Sequence, residues 1–170
     1  MRKLYLLKAL ADLFWFLSVS AIIVMFAFSA ILLLIKEPVD IPIKINGEKI
    51  MLIDLISKLI LLGHTIAYCF FVYGIFLFRK VLNHFAKRQI FEEKVIHLLN
   101  KIGKLFLTAS LISGLITFFS KIYLEREAEL GIGSGFDSFL FSASLGLFFM
   151  VLSEVFANAK DIKEENDLTI

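Results

Sequence analysis

Apolar residues along this chain gather in four long runs, at about 13–35, 51–78, 105–123 and 136–159, and charge is concentrated between them. Each run is close to or above the ~20 residues that an α-helix needs to cross the hydrocarbon core of a bilayer. The pattern predicts an all-α integral membrane protein, one domain of four transmembrane helices, with a basic interval at 79–104 and a polar tail at 160–170.

Arg2, Lys3 and Lys8 precede the first run. A basic start, an apolar core and the small-residue stretch Ala27-Phe28-Ser29-Ala30 also outline a cleavable signal peptide. The run continues through Ile31-Leu32-Leu33-Leu34-Ile35, however, so it is expected to remain as the first span, with Asp12 at headgroup level where the helix enters. Pro38 stops that helix. Residues 39–45 then alternate apolar with polar or Pro, and Asn46-Gly47 offers the two positive-φ positions of a tight turn, which predicts a short extracytoplasmic β-hairpin with Pro42 at its edge.

The second run contains Asp54 and Lys58 at i, i+4, and Thr65 with Tyr68 or Cys69 continues that face, whereas His64 lies about a third of a turn away. Ionisable groups inside a span are candidates for an intramembrane polar site. The plainer alternative is a mutual Asp54–Lys58 ion pair near the outer end, with His64 as a hydrogen-bonder between helices. Glu154, near the inner end of the fourth run, completes this set and is expected to pair with a basic residue of the central interval.

Within that interval Phe91, Val95, Leu98, Leu99 and Ile102 share one helical face. They predict a cytoplasmic amphipathic helix running on into the third span, either resting on anionic lipid or docking a protein. The third run carries Ser110, Ser113, Gly114, Thr117 and Ser120 on one face, and the fourth carries Ser138, Ser142, Gly146 and Ser153. Such small-residue stripes let two helices approach closely, and their hydroxyls are expected to bond across the interface. The glycines at 131, 133 and 135 follow no strand and precede no phosphate-cradling Lys, so they do not make a nucleotide loop.

Composition agrees with the bilayer reading. Hydrophobic residues make up 59% of 170, with 19 Phe and a mean hydropathy of +0.84, too apolar for a soluble domain of this size. The net charge of +2 matters less than where the charges lie. Twelve of the 18 Lys and Arg fall before the first run, between the second and third, or in the tail; five, namely Lys36, Lys44, Lys49, Arg126 and Lys121 at the end of the third run, lie on the other side, and Lys58 lies within a span. Basic loops are retained inside, so both termini and the central interval are expected in the cytoplasm. Cys69 is the single cysteine, which excludes an intramolecular disulfide, and no His-x-x-x-His or Cys-x-x-Cys spacing suggests a metal. No cofactor is expected.

The four runs, the central Phe91-Glu92-Glu93 with Leu98 and Lys101-Ile102-Gly103, the Glu154-Val155-Phe156 segment and the ending Glu164-Glu165-Asn166-Asp167-Leu168-Thr169-Ile170 together resemble the bacterial family known as domain of unknown function 2975. The resemblance covers most of the chain, and the acidic-Leu-Thr-Ile ending is its most specific part. Arg88-Gln89-Ile90-Phe91 stands where such proteins typically have Gly-x-Pro-Phe. No activity goes with the resemblance, but it implies a small helix-turn-helix regulator as a partner. Three classes of function stay open. A non-enzymatic regulatory or adaptor protein of the inner membrane would hold a cytoplasmic partner through Arg88, Phe91, Glu165, Asp167, Leu168 and Ile170. A small transporter or channel subunit would use Asp54, Lys58, His64 and Glu154. An enzyme ranks last, because no nucleophile, base and acid set is visible. Direct nucleic-acid binding is not expected, since no domain surrounds the basic residues to place them in a groove.

Overall fold

The computed structural model describes residues 2–35, 43–45, 48–50, 55–125 and 134–168. Four helices dominate: α1 (Arg2–Leu34), α2 (Leu55–Ala86), α3 (Glu93–Glu125) and α4 (Ser134–Leu168). All four are long and apolar enough to cross a membrane. Between α1 and α2, strands β1 (Ile43–Ile45) and β2 (Glu48–Ile50) pair antiparallel, with Ile43 opposite Ile50 and Ile45 opposite Glu48. The Asn46-Gly47 turn suggested by the sequence lies outside the described residues, as does Pro42.

Each helix has 32 to 35 residues, so at 1.5 Å per residue each is roughly 50 Å long, well beyond a ~30 Å hydrocarbon core. For α2 and α3, the residues outside the apolar runs 51–78 and 105–123 lie mostly next to their shared turn. There the basic interval is not a separate element: α2 runs on to Ala86, and α3 starts at Glu93 and continues without a break into the third span. The amphipathic face expected at a lipid surface is instead covered by protein. Val95, Leu99 and Ile102 are buried against Val81 and Ile75 of α2 and Phe149 of α4, and with Leu77 and Phe106 they form a hydrophobic core. The reason is the helix partner: a stripe of this kind buries itself best where a second stripe in α2, here Leu77, Val81 and Leu82, lies alongside it.

The turn between α2 and α3 is sharp although no glycine makes it. Arg88 has φ 61°, and the bonds that close the helix end are all present: Arg88 N–H donates to the Phe85 carbonyl at 3.1 Å and Gln89 N–H donates to the His84 carbonyl at 3.0 Å. This is the left-handed helix cap that usually takes glycine. Opposite it, the Glu92 carbonyl accepts the first bond of α3 from Val95 N–H at 2.9 Å, and Glu93 in the first turn suits the helix dipole.

The helices stand in chain order. Backbone contact is closest between α3 and α4, then α2 and α3, then α1 and α2, and α1 and α4 do not meet among the described residues. On the turn side, aromatic side chains bridge α2 to α4: the rings of Phe78 and Phe149 are 5.5 Å apart, and Phe156 lies 5.9 Å from Phe85 and 6.0 Å from Phe91.

Candidate functional site

Two regions have the features of a site, and they lie at opposite ends of the bundle. The first is the turn side. Phe156 of α4 sits between Phe85 of α2 and Phe91 of the turn, so the basic turn residues and the base of the acidic tail share one surface. Arg88 is exposed there; Phe91 is half committed to the Phe156 contact and keeps 40% of its surface exposed. Helix α4 continues to Leu168, and every residue from 161 to 167 is exposed, Glu165 and Asp167 included. Ile170 lies outside the described residues.

On the same side Asp12 does more than sit at a helix entrance. Its Oδ1 accepts from Arg79 Nε, and the Arg79 guanidinium lies 4.2 Å from the centre of the Trp15 ring, itself 6.0 Å from Phe76. The pair ties α1 to α2 across 67 residues of sequence, and sequence reading missed it because nothing local links the two positions. His84 Nδ1 and Glu92 Oε2 are 3.3 Å apart across the turn, without the alignment of a hydrogen bond. Glu154 does not pair as expected: it is exposed and makes no ion pair among the described residues. Its neighbour Ser153 explains the position, donating from Oγ to the Ile96 carbonyl at 2.8 Å and so setting Glu154 level with the start of α3, at the turn side and facing outward.

The second region lies in the half nearer the α1–α2 and α3–α4 connections. Here the helices line an open-sided cavity of about 500 Å³. Its back wall comes from α2 with His64, Ala67, Tyr68 and Phe71 and from α3 with Ala109, Ser110, Ser113 and Thr117. Met25 of α1 flanks one side, and Ser138, Phe139 and Ser142 of α4 flank the other. The small-residue stripes of α3 and α4 therefore do two jobs along their length. Towards the turn they pack: a Cβ on Gly103 would come within 2.6 Å of the Gly146 carbonyl oxygen. Further up, Ser110, Ser113, Ser138 and Ser142 line the cavity. Their hydroxyls do not all cross the interface as expected, since Ser110 Oγ donates to the Leu107 carbonyl and Ser120 Oγ to the Thr117 carbonyl of their own helix, both at 2.9 Å.

The intramembrane candidates divide in the same way. His64 is in the cavity wall; its Nδ1 is 3.0 Å from the Ile60 carbonyl, and its buried Nε2 has no hydrogen-bond partner. Lys58 is buried apart from the cavity and donates from Nζ to the Ile35 carbonyl at the end of α1, a cation on the negative end of a helix. Asp54, its expected partner, lies outside the described residues. Thr65 continues the α2 polar face, donating to the Leu61 carbonyl at 2.9 Å and lying 3.4 Å from Ser29 Oγ of α1. Among the described residues no group of three His, Cys, Asp or Glu converges as a metal site would require.

No curated protein and no solved structure matches the chain. One family does, over essentially the whole length, in agreement with the resemblance carried by the central segment and the acidic ending. Residues 5–170 match the family described as "Protein of unknown function (DUF2975)", and the chain belongs to it.

Proposed function

We propose that this protein is a non-enzymatic regulatory adaptor of the bacterial inner membrane, with both termini and the α2–α3 turn in the cytoplasm and β1–β2 outside. The single observation that carries the reading is the position of Phe156 between Phe85 and Phe91. It packs the turn that carries Lys87, Arg88 and Lys94 against the base of a helix whose exposed end bears Asp161, Lys163, Glu164, Glu165 and Asp167, with Lys160 paired to Glu164. A surface that carries charges of both signs selects a partner of complementary pattern, and rim charges of this kind set specificity and the rate of association. The charge distribution along the sequence supports the orientation, with twelve Lys and Arg on the turn side against five on the other. The helical surplus on the turn side supports the role, since the 7 residues beyond Arg79 in α2 make roughly 10 Å of packed helix clear of the hydrocarbon.

The partner to test is the small helix-turn-helix regulator that the family resemblance implies. Co-expression with the full chain, followed by purification in mild detergent, should yield a complex. Phe156→Ala, which releases the turn from the tail, and deletion of 167–170 should each weaken it while the chain's own abundance is unchanged. Binding that survives both changes would remove the adaptor reading.

A further inference from the structure

The cavity between α1 and α4 has no place in the adaptor reading and goes beyond it. Its volume of about 500 Å³ falls within the ~300–1,000 Å³ typical of small-molecule sites. Its lining decides the class of occupant. Tyr68, Ser110, Ser113 and Ser142 bring hydroxyl groups, Phe71 and Phe139 bring rings, and among the described residues no Asp, Glu, Lys or Arg lines it. A charged occupant would meet no counter-charge at membrane depth, where an unpaired charge is expensive. A neutral molecule with a hydroxyl, ester or amide head would meet hydrogen-bonding groups on two walls. His64 contributes the body of its ring to the wall, with Nδ1 3.0 Å from the Ile60 carbonyl and Nε2 buried behind the lining.

The route of entry follows from the order of the helices. Since the backbones of α1 and α4 do not meet among the described residues, the gap between Met25 on one flank and Ser142 on the other opens sideways, towards lipid, rather than along the bundle. Exposed apolar side chains cover both outer helices, Phe16 and Val24 on α1, Phe141 and Phe148 on α4. A molecule that reaches this opening has already partitioned into the bilayer. We infer that the cavity is a binding site for an uncharged amphiphile taken laterally from the membrane, its polar head among the hydroxyls of α3 and α4 and its apolar body against Phe71, Phe139 and Met25.

The test uses the full chain in phosphatidylcholine nanodiscs, photolysed with a diazirine-bearing medium-chain monoacylglycerol and, in parallel, with the diazirine fatty acid of equal length. Mass spectrometry should place the neutral label on peptides containing Met25, Phe71 and Phe139, about fivefold above the carboxylate at the same sites. Ser113→Phe and Ser142→Phe fill the cavity from different walls, and each should cut the cavity label about tenfold while leaving the label at lipid-facing Phe16 and Phe148 unchanged; if one variant unfolds, the other still decides. Equal labelling of cavity and lipid face, equal labelling by the two analogues, or cross-links from Met25 or Ser142 to a second copy would each overturn the site. Partner binding is measured separately, so this failure leaves the adaptor reading standing, and the reverse holds too.

Discussion

Gly103 and Gly146 face each other across the α3–α4 interface with no side chain between them. A Cβ on Gly103 would lie 2.6 Å from the Gly146 carbonyl oxygen, and a Cβ on Gly146 would lie 2.9 Å from the Gly103 carbonyl oxygen and from Leu107 N. Both obstacles include backbone, which cannot turn aside as a side chain can. Without a hydrophobic drive between helices in lipid, such close backbone approach is a main source of attraction. Gly103→Ala and Gly146→Ala should therefore each lower stability by about 1–3 kcal/mol, the usual cost of overpacking. At Gly114 the nearest obstacle to a Cβ is the Phe139 ring, at 2.8 Å, so Gly114→Ala should cost less because a ring can shift. Thermal unfolding in detergent ranks the three, and a Gly114 variant weaker than either of the others would contradict the backbone argument.

Arg88 offers the opposite case, a position where the present residue is the strained one. At φ 61° it occupies the left-handed region that glycine adopts freely, and its N–H and that of Gln89 both complete the cap. Arg88→Gly should raise stability by about 0.5–1 kcal/mol, since relief of the Cβ strain outweighs the extra freedom glycine gives the unfolded chain. Arg88→Ala keeps a Cβ and should leave the melting temperature nearly unchanged. If the two variants melt together, strain at this turn is not what the substitution relieves. The comparison also separates fold from function, because Arg88 is exposed and belongs to the proposed docking surface: the glycine variant should be more stable yet bind the partner less well.

The four helices were legible because a run of apolar residues long enough to cross a bilayer has few other interpretations, and the α3 and α4 stripes were legible because small residues at 3-and-4 spacing keep one face. The turn-side core was not. Lys87, Arg88, Lys94 and Lys101 made 79–104 look like a surface interval, and only the pairing of Val81 and Leu82 with Val95, Leu99 and Ile102 shows that its apolar face is inside. The cavity was hidden for a related reason. Ser110, Ser113 and Ser142 read as packing residues wherever they stand, and whether a stripe closes or gapes depends on how far two helices diverge, which no single segment encodes. His64 was singled out from the sequence, but its place in the cavity wall comes from α3 and α4 and not from its neighbours on α2.

The Asp12–Arg79 pair is partly open to solvent, with side chains 40% and 24% exposed. Its ionic part should therefore contribute little, and Asp12→Asn is expected to cost no more than about 1 kcal/mol. Arg79 also covers Trp15 at 4.2 Å, a contact that adds roughly 0.5–1 kcal/mol. Arg79→Met should accordingly cost more than Asp12→Asn, and Arg79→Lys should recover the charge without the planar stacking and fall between them. Chemical unfolding of the three variants in detergent gives the order; equal losses for Asp12→Asn and Arg79→Met would mean that the ion pair carries the whole effect.

Orientation in the membrane can be read with single cysteines once Cys69, the one native thiol, is replaced by Ala. Asn46 and Glu127 are expected outside, because their side holds only five of the 18 Lys and Arg. For the inner side Gln89 is a better reporter than His84, which is partly buried beside Glu92, since Gln89 is exposed at the turn and its side chain makes none of the cap's bonds. In intact cells a membrane-impermeant maleimide should label Cys introduced at 46 and 127, and should label Cys at 89 only after the membrane is opened. The charge argument makes a further demand. Moving the balance by changing Arg79, Lys80, Lys87 and Arg88 together to Gln removes four basic residues from the interval, and labelling at 89 from outside should then rise in a fraction of molecules. Labelling of Cys at 89 from outside in the unaltered chain would place the turn, the acidic tail and the proposed docking surface on the wrong side for a cytoplasmic partner.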